Sequence, residues 1–217
     1  MHKRGVVTIV FDDGYKAVYE KVLPWLRRLE VPAVFAVPIE GEKLEKTEER
    51  AVTPWTEWLK IKAEGFEVAS HTVSHHNLTL LDEKQLEEEL SISQKMLEAA
   101  TVVYPGGAVD DRVAQAASQY YQAGRTVHHG FEELPPAEPM RLKSYNYSRN
   151  NFSVPKANLL AGYAWSRNKW LIETYHLVDD DENKMVHSVK LSEFVRHIKF
   201  LRRLPVELKT IGQVISK

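Results

Sequence analysis

Short β-branched runs alternate along this chain with longer stretches of helical period, the pattern of strands and helices taking turns in an α/β fold. Val6 to Phe11 is the first apolar run and predicts a strand. Val18, Val22, Trp25, Leu26 and Leu29 then share a helical face, and Ala33 to Val37 predicts a second strand. The charged, breaker-rich segment from Pro38 to Arg50 reads as a surface excursion. Helical spacing resumes with Pro54 in a first-turn position and Trp58, Leu59 and Ile61 behind it. Gly65 closes that helix before a strand at Phe66 to Ala69.

The next helix begins near Asp82, whose carboxylate is placed to cap while Gln85 reaches back, and Leu86, Leu90 and Leu97 line one side. Further strands are expected at Thr101 to Tyr104, around Arg125 to Val127, around Ser144 to Tyr147 and at Trp170 to Tyr175. A last helix covers roughly Leu191 to Arg203, followed by the apolar Val206 to Leu208. No low-complexity tract or Gly/Ser-rich linker divides the 217 residues, so residues 1–217 read as one domain. Periodicity does not choose between a closed barrel and an open doubly wound sheet. In both, functional groups gather at the C-terminal ends of the strands.

Composition narrows the function. The 29 basic and 30 acidic residues are intermixed and leave a formal net charge of −1, so no global field favours nucleic acid or an anionic membrane. The absence of cysteine removes disulfides, thiolate metal sites and cysteine nucleophiles together. No apolar run is long enough to span a bilayer, and the run after Met1-His2-Lys3-Arg4 is too short for a signal peptide. With Met1 as the native start the protein is expected in the cytoplasm; with a native start further upstream, an export signal could precede it and the protein would be secreted.

The unusual polar residues fall at predicted strand ends. Asp12 and Asp13 in Phe11-Asp12-Asp13-Gly14 would repel each other unless something positive compensates, and a divalent metal is a natural compensator. Read alone, the tetrapeptide is equally a solvated turn. The segment Ala69-Ser70-His71-Thr72-Val73-Ser74-His75-His76-Asn77 brings three histidines into six residues. The four-residue spacing of His71 and His75 lets two rings converge on one ion, with His76 an alternative to His75. One carboxylate and two imidazoles leave coordination positions open and a second carboxylate free as a base, the layout of a catalytic metal site.

Tyr175-His176-Leu177 offers a proton donor for a leaving amine. In Tyr104-Pro105-Gly106-Gly107 the glycines allow a sharp turn and a bare backbone N–H that could approach an oxyanion. His2, His128, His129, His187 and His197 lack a comparable context and read as structural or solvated. Trp165 and Trp170 read as core residues. Trp55, Tyr145, Tyr147, Tyr163 and also Trp165 could stack on sugars or equally serve as core or rim.

In this order, Thr8-Ile9-Val10-Phe11-Asp12-Asp13-Gly14, Ser70-His71-Thr72-Val73-Ser74-His75, Tyr104-Pro105-Gly106-Gly107 and Tyr175-His176-Leu177 resemble the motifs of the polysaccharide deacetylase (NodB-homology) family, carbohydrate esterase family four. The first two motifs are specific and the last two loose. The resemblance implies a deformed (β/α) barrel and a metal-dependent hydrolase that removes an N-acyl group, normally acetyl, from a sugar or sugar-like substrate. By position it implies Asp12 as the base, Asp13, His71 and His75 as metal ligands, and His176 as the general acid. A backbone N–H in the Pro105-Gly106 turn becomes the oxyanion contact, with Tyr104 and Pro105 shaping the groove. The implied cofactor is one divalent metal ion, zinc first, with Co2+, Ni2+ or Fe2+ fitting the same ligands. The implied partner is a carbohydrate or another small N-acylated molecule.

Two positions depart from the family pattern. Many members carry an arginine two residues before the third-motif proline, where it orients the base, and here that residue is Val103. Arg141 or Arg149 is the expected substitute. The fourth motif, with its Asp and Trp, has no convincing match. Two other readings use the same ligands: an iron(II) facial-triad oxygenase, and a catalytically silent carbohydrate-binding barrel.

Overall fold

A computed structural model describes residues 5–180 and 185–216. Seven parallel strands form a curled sheet in the order β5-β4-β3-β2-β1-β7-β6. They are β1 (Val6–Phe11), β2 (Val34–Val37), β3 (Glu67–Ser70), β4 (Thr101–Val103), β5 (Ala123–Arg125), β6 (Tyr145–Asn146) and β7 (Trp170–Tyr175). Full-length pairing of β1 with β7, from Val6↔Trp170 to Phe11↔Tyr175, makes the spine of the sheet. Both strands are buried along their whole length, which is why they read as mainly apolar runs broken only by Thr8 in β1 and by Glu173 and Thr174 in β7.

The curl brings the two sheet edges together. Leu142, just ahead of β6, donates its N–H to Gly124 O at 2.8 Å and accepts from Thr126 N at 2.9 Å, so the chain entering β6 lies against β5. The result is the deformed (β/α) barrel that the resemblance implies. Its interior is filled by Val6, Val10, Val34, Ala36, Ala69, Val103, Ala123, Leu142, Trp170 and Ile172, aliphatic side chains apart from one tryptophan. Trp170 Nε1 is satisfied by Thr8 Oγ1 at 2.8 Å. On the outer face Phe11, Phe35, Tyr175 and Phe194 pack ring against ring at 5.1–5.7 Å beneath the helices.

Helices α1 (Leu23–Leu29), α3 (Trp55–Lys60), α4 (Glu83–Leu97), α5 (Asp111–Ala117), α6 (Val154–Arg167) and α7 (Leu191–Leu201) surround the strands. The Asp82–Gln85 capping box at the start of α4 is present with both bonds, at 2.8 and 3.1 Å. The Pro38–Arg50 excursion contains a helix, α2 (Gly41–Glu48), which buries only Gly41 and Leu44 and so offered little periodicity. A short parallel pair, β8 (Leu177–Val178) with β9 (Ser188–Val189), rises from the end of β7. The chain then closes with β10 (Glu207–Leu208), which pairs with the start of β1, and α8 (Ile211–Ile215). No helix among the described residues is long and apolar enough to cross a membrane.

Candidate active site

Asp12 and Asp13 leave the end of β1 in different directions: Asp13 takes left-handed backbone at φ 72°, and Gly14, which follows it at φ 67°, adopts the same region without steric cost. Asp13 Oδ1 lies 3.3 Å from both His71 Nε2 and His75 Nε2. One donor atom from each of the three residues falls within 4.8 Å of the others, a grouping that could hold a metal ion. Asp13 and His71 are buried, and His75 is partly so.

The donor chemistry suits a cation. His71 Nδ1 sits 2.7 Å from Val103 O, which can only accept, so the Nδ1 proton is fixed there and Nε2 faces Asp13 as a bare lone pair. A bare imidazole nitrogen and a carboxylate oxygen at 3.3 Å need a positive species between them. Where protons rather than an ion supply that positive charge, burial pushes the Asp13 carboxyl upward, but hydrogen bonds from the then protonated His71 and His75 and the charge of His176 hold it well below the usual range. Burial pulls His75 down, and the hydrogen bond and charge of Asp13 more than offset this, so its net shift is upward.

Asp12 turns into the barrel, only 3% exposed, and both its oxygens meet Arg125 Nη2, at 2.7 and 2.6 Å. Arg125 is 1% exposed. This corrects the expectation for Arg141 and Arg149: neither reaches Asp12. Arg141 pairs with Asp111 and Glu138 at the surface, and Arg149 is exposed on the loop after β6. In the register of β4 with β5, Val103 is the direct partner of Arg125. The cation missing at Val103 therefore stands on the next strand at the same height. The signal was an arginine inside a predicted strand, where a charge needs a partner.

His176 follows β7, with Nε2 3.7 Å from Asp12 Oδ2. His187 is exposed, in keeping with the solvated reading, and its ring also lies tilted against that of His176 with centroids 5.2 Å apart. The β8–β9 register, Leu177↔Ser188, sets the two histidines side by side. Partial burial and the neighbouring His176 charge lower its pKa. The signal was invisible because it depends on pairing across the chain. His197 has a structural setting, fully buried with Nε2 2.9 Å from Glu173. His128 and His129 are exposed, and His129 stacks on Tyr145; His76 bonds Ser74 rather than joining the three ligands. His2 lies outside the described residues.

In the turn after β4, Gly106 is exposed with φ 62°, leaving its backbone open, while a Cβ on Gly107 (φ 70°) would come within 2.4 Å of Val127. Tyr104 departs from expectation. Its ring is 1% exposed on the outer side of β4, with its hydroxyl donating to Met140 O at 3.0 Å, so it does not line the mouth. Trp170 is fully buried and Trp165 packs partly buried against the core.

The profile of the family described as polysaccharide deacetylase matches residues 1–123, more than half of the chain. The chain belongs to the polysaccharide deacetylase family. Members of this family are hydrolases of the amide bond of N-acetyl groups. The protein YxkH of Bacillus subtilis (strain 168), whose name assigns it to the polysaccharide deacetylases, is 29% identical over 133 residues. That match covers 57% of this chain and 45% of YxkH, so the chain spans about half the length of that relative. Among solved structures, the T48 deacetylase with substrate superposes with a TM-score of 0.62 at 16% identity, over 98% of this chain and 92% of the other. The Bc1960 peptidoglycan N-acetylglucosamine deacetylase gives 0.63 at 15%, over 99% and 89%. At such identities these two establish the barrel fold.

Proposed function

We propose that this chain is a metal-dependent deacylase that removes an N-acyl group, with acetyl the expected one, from a sugar or sugar-like substrate. The observation that carries the reading is the convergence of Asp13, His71 and His75 in the same barrel mouth as a second carboxylate, Asp12, and an imidazole, His176. A divalent ion held by the first three, with zinc the expected metal, would polarise the acyl carbonyl and acidify water. Asp12 takes the proton from the attacking water. Arg125 fixes the direction of that carboxylate through both oxygens. His176, with Nε2 3.7 Å from Asp12 Oδ2, gives a proton to the leaving amine. The N–H of Gly106, an exposed residue, is the donor offered to the carbonyl oxygen as it gains charge.

The buried Arg125–Asp12 pair favours an enzyme over a silent binding barrel, because a binding protein has no use for a carboxylate held dry and oriented beside a metal site. Asp12→Asn distinguishes them. Acyl release from an N-acylated sugar is expected to fall by about 10²–10⁴-fold, the usual worth of a general base, with zinc still bound. Unchanged turnover in this variant would remove Asp12 from the base role, and zinc loss would make it structural.

A further inference from the structure

Glu89, in the middle of α4, takes no part in the chemistry above, yet its carboxylate is turned to the back of the loop that carries His71 and His75. Its Oε2 accepts from the backbone N–H groups of Val73 at 2.8 Å and Ser74 at 3.0 Å, and the Ser74 hydroxyl donates to Oε1. His76 Nδ1 donates in turn to Ser74 Oγ at 2.6 Å. One carboxylate thus gathers three donors from two consecutive residues.

Those two residues lie between two strained ones. Thr72 (φ 66°) and His75 (φ 60°) both hold left-handed backbone, which is sterically unfavourable for a residue with a Cβ. Such strain persists only where the surroundings over-determine it; here the Thr72 and Val73 carbonyls accept from Ile39 N–H at 3.2 Å and Glu40 N–H at 2.8 Å, and the three charge-assisted hydrogen bonds to Glu89 are the side-chain hold on the Val73–Ser74 amides. The two histidines differ in what else secures them. His71 is anchored through Nδ1 to Val103 O. The His75 backbone is tied through its N–H to Thr72 Oγ1 at 3.2 Å, a contact inside the same loop.

We infer that Glu89 is the positioning residue of the metal-binding loop. Its carboxylate holds the Thr72–His75 backbone in the conformation that delivers His75 Nε2 to the point already addressed by His71 and Asp13. The inference rests on the metal-site reading above and goes beyond it by assigning the preorganisation of the site to a helix residue that touches neither metal nor substrate.

The test measures zinc affinity by chelator competition, together with hydrogen exchange of the Val73 and Ser74 amides in zinc-free protein. Glu89→Ala is expected to weaken zinc binding by about 10–100-fold, as loss of a group that orients metal ligands generally does, and to unprotect both amides. Glu89→Gln, whose amide oxygen can still accept both N–H groups, is expected to recover most of the affinity; a merely structural role would instead lower the denaturation midpoint of Glu89→Ala and leave the zinc affinity of the folded variant unchanged. Should the alanine variant fail to fold, Glu89→Asp, one methylene too short to reach the loop, takes its place with the same expectation. Wild-type zinc affinity in either variant, with the two amides still protected, overturns the proposal. Wild-type protein that binds no zinc would instead overturn the metal site itself, and with it this inference.

Discussion

Replacing Arg125 with methionine removes the cation that meets Asp12 while keeping an unbranched side chain in the barrel. At 2.6–2.7 Å the pair's attraction is about 6 kcal/mol at an effective dielectric of 20. Breaking a buried pair on one side costs about 3–5 kcal/mol, because the remaining charge stays buried without compensation. If roughly 2–3 kcal/mol of this holds Asp12 in reach of the attacking water, kcat falls about 30–150-fold. Urea denaturation and steady-state acyl release at saturating zinc measure the two effects separately. Arg125→Lys keeps the charge on a shorter, more strongly hydrated head group and falls between wild type and methionine. The register supplies a sharper test. Because Val103 and Arg125 are partners across β4 and β5, Arg125→Val combined with Val103→Arg should recover part of the activity that Arg125→Val loses. Full kcat in Arg125→Met, or a double variant no better than the single one, refutes the reasoning.

Two further outcomes follow from the same geometry. His187 has a lowered pKa, so the unfolded chain binds its proton at a higher pH than the folded one; its contribution to stability is full above about pH 6.5 and is lost as pH falls from there through the folded value. Denaturation midpoints measured across that window should fall less steeply with acid in His187→Gln than in wild type, and equal slopes would contradict the assignment. Gly107→Ala forces a Cβ to 2.4 Å from Val127 at φ 70°, adding about 1–2 kcal/mol of left-handed backbone cost to the clash. Chemical denaturation is expected to register at least that loss, whereas Gly106→Ala, with open space around its Cβ, loses only the backbone part.

The parts of this fold legible in the sequence are those set by local chemistry. β7 runs from Trp170 to Tyr175 and β1 from Val6 to Phe11 as expected, because a strand buried on both faces has no other apolar pattern to show. The α4 start was legible through Asp82 and Gln85, since a capping box is complete within four residues. By contrast, β5 lies at Ala123–Arg125 rather than Arg125–Val127, because its small residues make room for the Tyr104 ring and carry little strand signal. Helices α5, α6 and α8 were not anticipated. α5 and α8 are too short to display a period, and α6 buries only Val154 and three alanines.

The site divides in the same way. Asp12 with Asp13, and His71 with His75, are neighbours in sequence, so their grouping could be read directly. Arg125 on Asp12 and His187 on His176 depend on which strands lie side by side, and no spacing in the chain encodes that order. Glu89 reaches the metal loop from fifteen residues downstream of Ser74, where it looks like one more charge in the Glu87-Glu88-Glu89 run.

The most direct test is acetate or formate release from a panel of N-acylated sugars by the zinc-loaded protein, run beside metal-stripped protein and Asp13→Ala. The account predicts release that is absent from both controls and returns to the stripped protein when zinc is restored. Release that continues undiminished after the metal is removed, or in Asp13→Ala, would contradict it.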